Sequence, residues 1–94
     1  MDIKQIQNIY FIGIGGIGMS ALARYFKNLG KNVAGYDRHP TPITKGLEDL
    51  GVHIHFDDDI SQIPKSYDID STLVVITPAV PINHTEWNYF LERN

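Results

Sequence analysis

Apolar and polar positions along this chain switch repeatedly between the period of a strand and that of a helix. Residues 8–13 contain Ile9-Tyr10-Phe11-Ile12, apolar at every position and closed by Gly13. A short strand covered on both faces, as in the middle of a parallel sheet, has this composition. From residue 16 to residue 29 the spacing becomes helical, and Ile17, Ala21, Leu22, Tyr25, Phe26 and Leu29 form an apolar stripe expected to face the core. Gly30 stands where a left-handed cap would end that helix. Residues 32–37 return to strand character. Thr41 is placed to cap a second helix with Pro42 in its first position, and Ile43, Leu47 and Leu50 form its core stripe before Gly51. Residues 52–55 predict a short third strand. The acidic run Asp57-Asp58-Asp59 opens a loop with one helical turn at 60–63. Residues 72–77, rich in β-branched side chains, predict a fourth strand, and 78–81 form the loop at its carboxyl end. Residues 84–93 predict a helix with Trp87, Phe90 and Leu91 on one face.

This β-α-β-α-β-β-α alternation implies an α/β fold, a Rossmann-like, doubly wound and mostly parallel sheet with right-handed crossovers. The expected strand order is 3-2-1-4 in a single domain spanning residues 1–94. The switch point then lies between strands one and four, where ligands bind at the carboxyl ends. The glycine-rich segment after strand one and the loop 77–81 converge there. The last residues read as a helix where a further strand would ordinarily follow, so the chain is expected to be a fragment of a larger protein.

Composition narrows the partners. Eight Lys and Arg against 11 Asp and Glu give a net charge of −3, and 43% of residues are hydrophobic. The mild acidity argues against a nucleic-acid surface. The absence of cysteine excludes disulfides and thiolate metal sites. Nothing at the N-terminus resembles a signal peptide and no apolar run reaches membrane-spanning length, so a cytoplasmic location and no membrane partner are expected.

The candidate chemistry is concentrated in Gly13-Ile14-Gly15-Gly16-Ile17-Gly18-Met19-Ser20. Gly13, Gly15 and Gly18 fit G-x-G-x-x-G between a strand and a helix. The first glycine allows the tight turn, the second lets a pyrophosphate approach the backbone, and the third allows close packing of helix on strand. The helix end directs N–H groups and positive potential at one spot, which suits a phosphate. The pattern does not separate NAD, FAD and a UDP-sugar. Asp37, ending strand two, can accept hydrogen bonds from a ribose hydroxyl or a base N–H, or can be a solvated turn residue. The stiff loop Thr77-Pro78-Ala79-Val80-Pro81 can wall a base or sugar, or simply reverse the chain. His84 lies near the expected crevice. His53 and His55 share one face of a short strand at a spacing that could hold a metal, but an exposed edge strand beside a solvated acidic turn is the expected reading, and no metal site is assigned. No G-x-x-x-x-G-K-[ST] loop, Ser-His-Asp arrangement or paired catalytic carboxylates are found, so no catalytic residue is assigned.

The glycine segment continuing into Met19-Ser20-Ala21-Leu22-Ala23, then Gly35-Tyr36-Asp37, then Thr77-Pro78-Ala79-Val80-Pro81, resembles the N-terminal domain of the alanine-adding enzymes of the Mur ligase family, across nearly the whole chain. The resemblance implies a domain holding the UDP part of UDP-N-acetylmuramic acid in peptidoglycan synthesis. The backbone of Gly15, Gly16, Ile17, Gly18 and Met19 would bind the diphosphate, Asp37 the uridine, and the loop containing Thr77, Ala79 and Val80 the uracil and sugar, with His84 added from its position. ATP and Mg²⁺ would serve the full enzyme through the remaining Mur ligase domains, with no cofactor in this segment. Members often carry Ser at the place of Tyr36 and Asn-Pro-Glu at the place of His84-Thr85-Glu86. A ligase that attaches a tripeptide to the same UDP-sugar shares the fold. The alternatives outside the family are an NAD-binding module of an oxidoreductase or nucleotide sensor, and an interaction module with a vestigial glycine turn.

Overall fold

The computed structural model describes residues 5–81 and 83–92, and of Ile69 the backbone. The elements run β1 (Asn8–Ile12), α1 (Ile17–Asn28), β2 (Asn32–Tyr36), α2 (Pro42–Asp49), β3 (His53–His55), β4 (Thr72–Ile76) and α3 (Thr85–Glu92), with single 3₁₀ turns at Ile60–Gln62 and Ile69–Ser71. The four strands form one parallel sheet in the order β3-β2-β1-β4, as the alternation predicts. Each strand ends within one residue of its sequence-based boundary.

Strand pleating divides the core. Ile9 and Phe11 face Ala23 and Phe26 of α1 and Leu47 of α2. Tyr10 and Ile12 face the opposite side, where Phe90 of α3, Ile63 and Tyr67 cover them. All five residues of β1 are buried, which explains its unbroken apolar run. In α2, the Thr41 side chain accepts the Thr44 N–H while the Thr44 hydroxyl accepts the Thr41 N–H, and Pro42 begins the helix. Gly30 has the expected positive φ, 83°.

Three helix faces differ from their sequence-based expectations. In α1 the buried residues are Ser20, Ala23 and Phe26. Of the expected stripe only Phe26 is buried, and Ile17 is 84% exposed, Tyr25 56% and Leu29 53%. The small side chains of Ser20 and Ala23 let the helix lie close to the sheet, which the bulkier stripe would hold off. Leu50 falls beyond the end of α2, and Leu91 turns outward from α3, so both are exposed. The close backbone approach expected at Gly18 occurs instead at Gly35. A Cβ at Gly18 would meet nothing within 4 Å, whereas one at Gly35 would lie 2.6 Å from the Phe11 carbonyl oxygen. Among the described residues, no helix is long and apolar enough to cross a membrane.

Candidate functional site

The carboxyl ends of β1, β2 and β4 open into a cavity of about 720 Å³, the size of a pocket for a nucleotide-scale ligand. Its floor is the glycine turn. Gly13 takes a φ of 93°, which an L-residue resists, and a Cβ there would collide with the Thr77 methyl. The amides of Gly13 and Ile14 both donate to the Tyr36 carbonyl, at 2.8 and 3.0 Å, fixing the turn to the end of β2.

The turn leads into an uncapped helix. Gly16 is the N-cap of α1 and offers no side chain, and the first turn holds no acidic residue. The first helical bond runs from the Ser20 N–H to the Gly16 carbonyl at 2.8 Å. The amides of Ile17, Gly18 and Met19 therefore precede the intrahelical ladder and are left as donors at the positive helix end. Gly15 is committed differently. Its N–H donates to Asp37 Oδ2 at 2.7 Å, so the carboxylate at the end of β2 is drawn over the glycine turn.

Of the residues singled out in the sequence, Gly15, Gly16, Asp37, Thr77, Ala79, Val80 and His84 line this cavity. Ile17, Gly18 and Met19 do not. Ile17 and Gly18 are exposed, and the Met19 side chain packs against the α1-side core. Tyr36, Arg38, Asp58 and Asn83 also line the cavity. Arg38 and Tyr36 flank Asp37 in sequence, which was a usable signal. Asn83 flanks His84 in the same way. Asp58 gave no signal, because its bonds to the start of α3 alone bring it in.

Asp58 joins the loop after β3 to the start of α3. Its Oδ2 accepts the Thr85 N–H at 2.8 Å and its Oδ1 the Glu86 N–H at 3.0 Å, capping the helix across 27 and 28 residues of chain. Glu86 answers in the other direction, accepting the Asp59 N–H at 3.1 Å. The same carboxylate accepts from the Tyr10 hydroxyl at 2.6 Å and pairs with His55 Nε2 at 2.7 Å. His55, expected on an exposed edge strand, is thus turned inward and buried, because Glu86 waits beneath β3, while His53 remains exposed. Burial, then its bond to Glu86, pushes the Tyr10 phenol well above its ordinary range. Burial, and next the charges of Asp58 and Glu86, raise Tyr36.

His84 sits one residue before α3, with its ring edge-on to Tyr36 at 4.6 Å between centroids. Its Nδ1 lies 3.2 Å from Asp58 Oδ1 and accepts the Trp87 N–H at 3.4 Å. Its Nε2 is buried and has no hydrogen-bond partner.

Comparison with known proteins gives a consistent picture. Residues 8–94 match the family model described as "Mur ligase family, catalytic domain". The chain is 64% identical over 93 residues to the UDP-N-acetylmuramate–L-alanine ligase of Flavobacterium psychrophilum, covering 99% of this chain and 21% of that protein. It thus spans about one fifth of the length of the curated relatives it matches. Among solved structures it is similar to the UDP-N-acetylmuramate:L-alanyl-γ-D-glutamyl-meso-diaminopimelate ligase of Neisseria meningitides, with TM-score 0.79 and 27% identity, covering 94% of this chain and 26% of that one. It is also similar to the UDP-N-acetylmuramate-alanine ligase of Thermotoga maritima, with TM-score 0.67 and 34% identity, covering 92% and 19%.

Proposed function

Because the chain belongs to the Mur ligase family, we propose that it is the segment of an ATP-dependent UDP-N-acetylmuramate–L-alanine ligase that grips the UDP end of UDP-N-acetylmuramic acid. The carrying observation is the pairing of the uncapped α1 start with Asp37 at one end of a single cavity. The amides of Ile17, Gly18 and Met19 take the diphosphate oxygens, and the helix end compensates their charge. Asp37, held by the Gly15 N–H on Oδ2 and by the His39 N–H on Oδ1 at 3.4 Å, offers its remaining lone pairs to a ribose hydroxyl. The loop bearing Thr77, Ala79 and Val80 walls the base and sugar.

The reaction proposed for the whole protein activates the muramoyl carboxylate as an acyl-phosphate, which the L-alanine amine attacks, in the cytoplasm and for peptidoglycan synthesis. The residues of this chain do not fit ATP or Mg²⁺. It has no G-x-x-x-x-G-K-[ST] loop, and among the described residues no three His, Asp or Glu side chains gather. Both groups are assigned to other parts of the longer protein. This segment binds and orients, and it contributes no proton or nucleophile to the chemistry.

Calorimetry on the full-length protein that carries this chain tests the reading. UDP-N-acetylmuramic acid is expected to bind, and Gly15→Val to weaken it by at least about tenfold, because a Cβ at Gly15 falls 2.8 Å from Asp37 Oδ2. ATP binding should survive the substitution. Heat with NAD in place of the UDP-sugar overturns the reading in favour of a dinucleotide module. A second reading, a ligase that adds a peptide to the same UDP-sugar, is favoured by the higher TM-score to the Neisseria enzyme. The 64% identity to the alanine-adding relative favours the first. Product formation with L-alanine or with the tripeptide decides between them.

A further inference from the structure

We infer that His84 reads the base of the bound nucleotide, its Nε2–H donating a hydrogen bond to a carbonyl oxygen of the ring. The inference rests on the nucleotide reading above and assigns a chemical role to one residue within it.

The ring's surroundings set where its hydrogen sits. His84 is 6% exposed and lines the cavity. The Trp87 N–H, 3.4 Å away, needs a lone pair on Nδ1, which leaves the hydrogen on Nε2. Asp58 Oδ1 lies 3.2 Å from Nδ1. The Trp87 bond is thus the contact that makes Nε2 a donor. Only a hydrogen on Nδ1 alone would make it an acceptor, and that form gives up the Trp87 bond.

A buried donor without a partner is costly, so native structures seldom leave one. The other buried unpaired polar atoms among the described residues, His55 Nδ1 and Thr72 Oγ1, belong to side chains outside the cavity lining. His84 Nε2 alone belongs to a cavity residue, so a ligand is the partner available to it. The carboxylate of Asp58 directly behind the ring opposes an anion at this spot. The diphosphate has its own donors at the start of α1. A neutral carbonyl oxygen, such as a pyrimidine presents, is the acceptor that fits.

The test compares UDP with ribose 5-diphosphate, which keeps the sugar and phosphates and lacks the base, on the full-length protein. His84→Asn keeps an acceptor for the Trp87 N–H at a position where Asn caps well, and it removes the Nε2 donor. It is expected to weaken UDP by about tenfold and to leave ribose 5-diphosphate unchanged. His84→Gln, which restores a donor at similar reach, should recover most of the loss. Equal losses for both ligands, or no loss for either, overturn the inference. Nitrogen-15 spectra of the unaltered protein give an answer independent of any variant. Nε2 should resonate as a protonated nitrogen and shift with UDP but not with ribose 5-diphosphate, and an unprotonated Nε2 overturns the inference. A protein that binds neither ligand overturns the nucleotide reading as well. One that binds UDP with the wrong His84 pattern overturns only the role of His84.

Discussion

Glu86 is fully buried, and donors from three separate segments converge on its carboxylate: the Tyr10 hydroxyl, His55 Nε2 and the Asp59 N–H. The bond to Glu86 places a hydrogen on His55 Nε2, and Nδ1 is buried without a partner. Removing the carboxylate leaves the Tyr10 hydroxyl and His55 Nε2, 3.2 Å apart, with only each other, so at least one buried donor is stranded. Glu86→Ala is therefore expected to cost about 3 kcal/mol in urea unfolding, and a cost below about 1 kcal/mol would show that the network is not needed. Nothing in the sequence signalled this residue. A glutamate in the first turn of a helix reads as a solvated charge near the dipole, and its partners Tyr10 and His55 stand 76 and 31 residues away. The same distance hid the burial of His55. The place of Asp37 at the cavity was legible because it follows from a local fact, a carboxylate at the end of the strand that follows a glycine turn.

Helix α1 carries two apolar faces at helical spacing, and the pattern alone cannot rank them. The expected stripe runs through Ile17, Ala21, Leu22, Tyr25, Phe26 and Leu29, and the other face holds Met19, Ser20 and Ala23 and shares Phe26. Hydrophobicity favours the first. The sheet selects the second, because the helix begins immediately after a turn pinned to β2 and must lie close to it. Size decides the packing, and substitutions should report it. Ala23→Leu, on the fully buried face, is expected to destabilise by about 1–3 kcal/mol. Tyr25→Glu, on the exposed face, should stay within about 0.5 kcal/mol. Thermal melts of the two variants check this, and the reverse ranking would restore the sequence-based face. The start of α2 was readable for the opposite reason. Its cap, Pro42 and reciprocal Thr41–Thr44 bonds all lie within four residues, so no tertiary context is needed. Thr41→Ala should cost about 1 kcal/mol by the same measurement.

At the scale of the molecule, strand order followed from alternation and handedness, and with it the end of the sheet where the site would lie. His84 was placed near the crevice from the sequence, but Asp58 was not, because it joins His84 only when the loop after β3 is tied to α3. The α3-side core, with Tyr10, Tyr67 and Phe90, forms one packed cluster, so its phenols should respond to global unfolding. Burial pushes Tyr67 up to about 12, and Tyr10 is raised further by burial and Glu86. In the unfolded chain both phenols titrate near their ordinary value of about 10. Below that pH both states hold the protons, and the stability is complete. Between about pH 10 and pH 12 the unfolded chain releases protons that the folded chain keeps, so stability falls as pH rises, by up to about 1.4 kcal/mol per pH unit for each phenol. Tyr67→Phe removes one proton from this balance. Urea unfolding followed from pH 9 to pH 12 should then show a shallower decline in the variant than in the unaltered protein. Parallel declines would mean that Tyr67 ionises in the folded state as readily as in the unfolded one, and that the α3-side layer admits water around it.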